Sequence, residues 1–304
     1  MWYIIVNPAA GGGGAGRMWP LLEQLLQEMR FAYTVQFSTA RGHAMTLAKN
    51  AIERGHRHLL GVGGDGTHHE IVNGIMEQSA VASSTVQYGL LPVGTGNDWA
   101  RMYKLPRDPR MRLTQLLHPV PLLQDVGVIE YEKNGQRARR YFANVAGLAY
   151  DAYVVYQIEQ RTRPLYSRLH YLWAVGQHLI KYRPQRGCIV TDNHAELRDH
   201  FYTINVGVCK YSGGGMQFVP HAIADDGLLA ITAARNVSKW EVIMQMPRFY
   251  NGTLLRHPRI QGWQGQRVVI EEAGDGPLFV EADGEFLGQT PVEISLLEKA
   301  LCVV

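Results

Sequence analysis

No apolar run in this 304-residue chain approaches the roughly 18 residues that a membrane-crossing helix needs, so no transmembrane segment is expected. No basic region precedes the short apolar stretch at residues 2–6, and a secretory leader is not expected there. Cysteine is scarce: Cys188, Cys209 and Cys302 are scattered, lack metal-ligand spacing and read as buried thiols of a reducing compartment. An excess of one charge is missing as well. A formal net charge of +3 tolerates acidic lipid headgroups but gives no basis for nucleic acid, and neither a recognition helix nor an aromatic RNA motif is present. The common nucleotide signatures are absent too. The glycine run at 11–16 is not followed by Lys and Ser or Thr, which excludes a Walker phosphate loop. Gly11, Gly13 and Gly16 fit the dinucleotide spacing, but the second expected strand, Tyr33–Phe37, ends in Ser38 and Thr39 rather than in a ribose-binding acid. His56, His58, His68 and His69 match no zinc spacing and are expected to be solvated or at helix caps.

What is present is a loop type that recurs. Gly63-Gly64-Asp65-Gly66-Thr67 follows the apolar run 59–62, where glycines let a ligand approach main-chain N–H groups closely. A carboxylate in such a loop would repel phosphate unless a metal ion or a reacting hydroxyl lay between them. The competing reading is a tight strand-to-helix turn in which Asp65 and Thr67 cap the following helix. A second loop, Gly94-Thr95-Gly96-Asn97-Asp98, follows the apolar strand 88–93. A third, Asn7-Pro8 with its trailing glycines, follows the strand 2–6. Three such loops at strand C-termini outline a nucleotide site on one edge of a parallel sheet.

The pattern divides the chain. Up to about residue 117, strands alternate with amphipathic helices expected at 18–29, 43–54 and 68–77, which implies parallel strands with crossover helices. Pro106, Pro109, Pro119 and Pro121 then punctuate an expected connector. Short β-rich runs follow at 126–131, 140–145, 187–191, 201–208, 228–233, 267–272 and 278–282, suggesting an antiparallel sandwich. Residues 152–183 interrupt them as one or two helices broken near Pro164.

Taken together, these loops resemble the diacylglycerol kinase catalytic domain, and more narrowly the soluble bacterial lipid kinases related to sphingosine and ceramide kinases. The resemblance also includes Glu70, Asn73-Gly74, Ala100-Arg101, Asp125-Val126-Gly127, 142–147, Gly213-Gly214-Gly215-Met216, Asp225-Asp226-Gly227 and Asp283-Gly284-Glu285. It implies an α/β N-terminal domain with a parallel sheet, like NAD kinase and phosphofructokinase, followed by a mainly antiparallel β-sandwich. The boundaries expected are 1–122 and 123–304, with the last strand returning to the first domain. It further implies an enzyme that transfers the γ-phosphoryl group of ATP to a lipid hydroxyl. The nucleotide would be held by Asn7, Pro8, Gly11, Thr39, Gly63, Gly64, Asp65, Gly66, Thr67, Gly94, Thr95 and Asn97. As a bare pattern, Asp283-Gly284-Glu285 is a β-turn between strands; the resemblance assigns the catalytic base to Glu285, with Asp283 as competitor and helper and Asp65 as the next acid. Residues 223–228 are by pattern a turn before a strand, and the resemblance implies a structural Mg²⁺ on the Asp226 carboxylate and the carbonyls of Ile223 and Leu228. An NAD kinase-like or other small-molecule kinase, or a non-catalytic lipid or nucleotide sensor, is the alternative.

The expected partner is a lipid substrate at the membrane surface, with a homodimer left open. The expected location is the cytoplasm, in peripheral association with the membrane. Two segments mix aromatic or apolar residues with cations in the manner of an interfacial surface. One is 152–183, with Tyr153, Tyr156, Tyr166, Tyr171, Trp173 and Tyr182 among Arg161, Arg163, Arg168, Lys181 and Arg183. The other is 240–255, with Trp240, Met244, Met246, Phe249, Tyr250 and Leu254. The alternative for both is that these side chains cover the sandwich core.

Overall fold

A computed structural model describes residues 1–160, 179 and 182–304, and the chain divides into two units, 1–124 with 299–304, and 125–298. In the first unit, β1 (Trp2–Val6) is five apolar residues buried on both faces, the mark of a central parallel strand. It pairs in parallel with β2 (Tyr33–Phe37) on one side and β3 (His58–Gly63) on the other, through the crossovers α1 (Ala10–Glu28) and α2 (His43–Glu53). After α3 (Asp65–Glu77), β4 (Gln87–Pro92) pairs in parallel with β3. Cys302 and Val303, at the end of the chain's last strand, pair in parallel with β4 on its other side. Trp2, Ile4, Val6, Leu22, Leu26, Leu60, Val62 and Leu91 form the core under α1. Gly11, Gly12 and Gly13 take positive φ at the head of α1, so its regular right-handed turns begin only after them, still ahead of the helix expected at 18–29.

α4 (Asp98–Met102) precedes the proline-punctuated connector, which itself contains a helix, α5 (Pro109–Leu117). Pro109 opens α5 rather than breaking the chain: it stands in the first turn, where no N–H is needed, and Asp108 caps the helix by accepting from Met111 N at 2.8 Å. α5 buries Leu113, Leu116 and, unusually, Arg112. The Arg112 guanidinium donates to the carbonyls of Leu90 and Val304 and to Gln115 Oε1, and burial lowers its pKa to about 10.

The second unit is antiparallel. Its elements are β5 (Leu122–Lys133, entering from the first unit), β6 (Gln136–Phe142), β7 (Val145–Ala149), α6 (Tyr150–Glu159), β8 (Gln185–Thr191), β9 (His194–Gly207), the short pair β10 (Tyr211–Ser212) and β11 (Met216–Gln217), and β12 (Leu229–Arg235). Then come α7 (Lys239–Met244), α8 (Met246–Asn251), β13 (Ile260–Gly265), β14 (Arg267–Glu272), β15 (Phe279–Ala282), β16 (Glu285–Gln289) and β17 (Val292–Val303). Within this unit the order is β16–β15–β7–β9–β8–β14–β17, with β12 between β9 and β13, giving a β-sandwich-type domain. The single strand expected at 140–145 is two strands, since Ala143 and Asn144 form a corner between β6 and β7. Among the described residues, no helix is long and apolar enough to cross a membrane.

Replacing Arg112 with Met should take the Arg112 donor from the buried Leu90 carbonyl, at about 1–3 kcal/mol, and from the half-buried Val304 oxygen at less. The urea midpoint of R112M should fall accordingly; an unchanged midpoint would mean that those carbonyls find other donors.

Candidate active site

The three glycine loops of the first unit meet. Asn7 Nδ2 donates to Thr67 Oγ1 at 3.0 Å, and Val93 N donates to Gly63 O at 2.8 Å. Gly64 and Gly94 stand back to back: a Cβ on Gly94 would lie 2.8 Å from Gly64 Cα, and one on Gly64 would lie 3.3 Å from Gly94 Cα. Gly64 has φ −99°, so its glycine is required by this close approach and not by the positive φ that such a loop suggests. Gly66 faces open space, and Gly11, Thr39, Gly66 and Thr95 are exposed, while Pro8 is half-buried. Thr39 Oγ1 and His43 Nδ1 lie 3.0 Å apart.

Asp65 is the first residue of α3, but it does not cap its own helix. Its Oδ1 accepts from Asp98 N at 2.7 Å and Trp99 N at 3.4 Å, so it caps α4 and binds the Gly63–Thr67 loop to the Gly94–Asp98 loop. Burial, together with the neighbouring Asp98 carboxylate, pushes its pKa up to about 6. Asn97, with φ +52°, turns the chain into α4; its Nδ2 donates to Gly94 O at 3.0 Å, while its buried Oδ1 has no partner. An unsatisfied buried acceptor beside these loops is a place for a ligand donor. His68 and His69 are buried, contrary to the expectation of solvated or capping histidines. His68 stacks on Trp99 at 4.1 Å and shares a hydrogen bond through Nδ1 with Tyr88 OH, so an imidazole fills an aromatic core position.

In the second unit, the Asp283-Gly284-Glu285 turn joins β15 to β16. Asp283 Oδ2 accepts from Ala143 N at 2.9 Å, and its Oδ1 accepts from Asn144 N and Val145 N at 3.1 and 3.0 Å. Those three donors belong to the corner that splits β6 from β7. Glu281, buried at 4 % exposure, accepts from Gly284 N at 2.7 Å through Oε2 and fixes the turn from the other side. Glu285 Oε2 receives Arg140 Nε at 2.9 Å and Nη2 at 2.6 Å. Below, Asp151 accepts from Thr203 Oγ1 at 2.8 Å, and burial raises its pKa to about 6.

The turn 223–228 of this unit presents Asp226. Its Oδ1 accepts from Leu228 N and its Oδ2 from Gln264 Nε2, both at 3.1 Å, with no cation paired to it among the described residues. Asp225 and Asp226 are both exposed and precede β12, so strand alternation does not separate them; the turn does, by engaging Asp226 alone. Asp125, fully buried, accepts from Gly227 N at 2.8 Å and donates through its own N to Ala224 O.

Residues 1–129 match the diacylglycerol kinase catalytic domain, and residues 144–304 match the YegS C-terminal NAD kinase beta sandwich-like domain. The chain belongs to the diacylglycerol kinase family of bacterial lipid kinases. It is 28 % identical over 262 residues to a diacylglycerol kinase of Mycobacterium tuberculosis strain H37Rv, covering 86 % of this chain and 81 % of that one. It is 25 % identical over 302 residues to a diacylglycerol kinase of Bacillus subtilis strain 168, covering 99 % and 95 %. A crystal structure of a diacylglycerol kinase from Bacillus anthracis strain Sterne superposes with a TM-score of 0.70 at 20 % identity, over 100 % of this chain and 96 % of that one, and shows the same fold. The protein is thus an ATP-dependent lipid kinase, a phosphotransferase with an alcohol acceptor.

Three residues of this kinase carry work that sequence reading left unassigned. Glu70 reaches from α3 to cap α2, accepting from Gly42 N at 2.8 Å and Ala44 N at 3.0 Å. Arg17 lies against the glycine run, donating to Gly12 O, with no carboxylate partner among the described residues. Asp125 ties the Asp226 turn. A capping acid three residues past the Gly63–Thr67 loop is no signal by spacing, whereas an arginine at the end of a glycine run in α1 is one.

Asp65 titrates in the folded state near pH 6, above the usual carboxylate value of about 3.9. Between those values the folded chain holds a proton that the unfolded chain has released, so stability falls as pH rises through the window. Asp65→Asn removes this dependence: the melting temperature of the variant relative to wild type should climb from pH 4 to pH 7. A constant difference would show that Asp65 titrates normally.

Proposed function

We propose that the kinase phosphorylates the primary hydroxyl of a diacylglycerol-type lipid at a membrane surface, with Glu285 accepting the hydroxyl proton. The observation that carries the choice of base is the state of Asp283. Three main-chain N–H groups occupy its carboxylate, so it builds the turn, and the acid presented two residues later is Glu285. Arg140 orients that acid through one oxygen. Both acids are candidates by motif, and the three N–H bonds to Asp283 support the choice of Glu285.

The first unit supplies the nucleotide loops. Gly11, Gly63, Gly64, Gly66, Thr67, Gly94 and Thr95 carry main-chain N–H or hydroxyl groups for phosphate, Asn7 holds Thr67, Pro8 (which has no N–H) shapes the turn after β1, Thr39 stands at the end of β2, and Arg17 adds positive charge. Asn97 Oδ1 is free to accept from the nucleoside. In the reaction the acceptor oxygen bonds to the γ-phosphorus, the bond from that phosphorus to the β–γ bridging oxygen breaks, ADP leaves and the hydroxyl proton passes to Glu285. Phosphoryl transfer rests mainly on positioning and charge neutralisation, and a carboxylate held by Arg140 is a sufficient base for a proton that departs late. Relatives bearing the name diacylglycerol kinase support the acceptor class.

Mg²⁺ fits the Asp226 turn by donor chemistry. An exposed carboxylate matched only by neutral donors, with the carbonyls of Ile223 and Leu228 nearby in sequence, offers oxygen ligands to a hard cation that keeps several waters. An ion there would neutralise Asp226 and stiffen the turn that Asp125 anchors.

With γ-labelled ATP and a short-chain diacylglycerol, Glu285→Gln should lower kcat by about 10²–10⁴-fold while nucleotide affinity, measured by calorimetry, is kept. A variant within a few-fold of wild type would remove the base from Glu285. For the metal, the melting temperature of nucleotide-free wild type should rise on adding Mg²⁺. That rise should vanish in Asp226→Ala and persist in Asp225→Ala; an equal rise in all three would place no ion on Asp226.

A further inference from the structure

The α7–α8 segment is apolar on both faces. Its inner side is anchored on the second unit: Phe249 packs on Phe218 at 5.1 Å, Leu254 is 2 % exposed, and Gln217 Nε2 donates to Tyr250 O at 3.2 Å. Its outer side carries Trp240, Ile243, Met244 and Tyr250, exposed by 69, 47, 59 and 39 %, with Pro247 exposed between them. The first three and Pro247 stand at helical spacings of three and four, so they form one stripe. Water-facing Trp, Ile, Met and Tyr in a single stripe mark an interaction surface.

The charges select the occupant. Residues 236–259 hold four cations, Lys239, Arg248, Arg256 and Arg259, against one acid, Glu241, an excess equal to the +3 of the whole chain. Glu241 is already engaged: it completes the capping box with Ser238 and pairs with Arg259 at 3.2 Å. Arg256 is exposed and has no carboxylate partner among the described residues, whereas a guanidinium nitrogen of Arg248 is buried. A second copy in a two-fold contact would set this cationic stripe against itself, which is unfavourable. An anionic bilayer complements it, because Trp and Tyr settle at headgroup depth while Ile and Met reach the acyl boundary.

We propose that the outward stripe of α7–α8 docks this kinase on an anionic lipid bilayer. The proposal rests on the lipid-kinase reading only for supplying a reason to be at that surface. The other segment with this composition, 152–183, lies mostly outside the described residues. Of its described aromatics, Tyr156 stacks on Phe279 at 5.1 Å and Tyr153 meets Tyr182 at 5.4 Å, so these pack on the unit itself.

The test is co-sedimentation of the full chain with vesicles of phosphatidylcholine and phosphatidylglycerol, compared with phosphatidylcholine alone. Wild type should bind the anionic vesicles more tightly, and added salt should weaken that preference. Trp240→Ser with Met244→Ser should lower vesicle affinity by about tenfold or more, since two large apolar groups no longer leave water. Arg256→Glu should weaken binding to the anionic vesicles alone. The double variant should still phosphorylate a short-chain, water-soluble diacylglycerol at the wild-type rate, which separates loss of docking from loss of the reaction. Wild-type vesicle affinity in the double variant would overturn the proposal. So would a wild-type dimer, seen by sedimentation velocity, that the same substitutions dissociate, since the stripe would then belong to a second copy.

Discussion

Carboxylates that hold main-chain N–H groups of distant segments tie this structure together. Asp65 takes N–H groups at the start of α4, Glu70 those at the start of α2, Asp125 that of Gly227, and Asp283 three in succession at the β6–β7 corner. Each joins segments 26 to 140 residues apart in sequence. A carboxylate bonded in this way is charge-assisted and geometrically demanding, so it fixes a loop more firmly than apolar contact does. Glycine-rich loops need such fixing, because residues free to approach a phosphate are also free to wander.

The arrangement answers an apparent contradiction in the motifs. An acid inside a phosphate-cradling loop should repel the ligand, yet Asp65 aims its charge at the positive end of α4 rather than at the space beside Gly66. Its raised pKa records what remains: enclosure and the proximity of Asp98 outweigh the N–H donors. The capping alternative for this acid therefore captured its local bonding, with the helix served being the next one along the chain. Asp283 follows the same logic: its carboxylate accepts from three main-chain N–H groups, while Glu285, two residues later, stands at the head of β16.

Periodicity exposed most of the fold. Alternating strands and helices gave the parallel sheet of the first unit, because central strands such as β1 are wholly apolar and their crossovers amphipathic. Pattern failed where a residue's usual meaning was inverted by position: Pro109 starts a helix, and Ala143 with Asn144 looks like strand yet turns because Asp283 captures its N–H groups. β13 escaped notice because glycine and glutamine interrupt its apolar pattern, as Ile260–Gly265 shows. The buried histidines were misjudged because an imidazole's place depends on partners, Tyr88 and Trp99, that lie 20 and 31 positions away. Candidate site residues were legible as motifs, but their division into builders and actors was not, since that depends on which oxygen meets which N–H.

The same separation of duties extends to the surface of the second unit. Glu241 caps α7 and meets Arg259, which removes the one local negative charge from a stripe that otherwise presents cations and apolar side chains. A helix pair stabilised only by its own burial would turn Trp240 and Met244 inward; here Phe249 and Leu254 hold it in place, and the larger apolar groups face water. Leaving them there forgoes burial worth about 25 cal/mol per Å² in the isolated chain. That forgone burial becomes available when an apolar phase is met, so the free energy not used for folding is held for association with a surface.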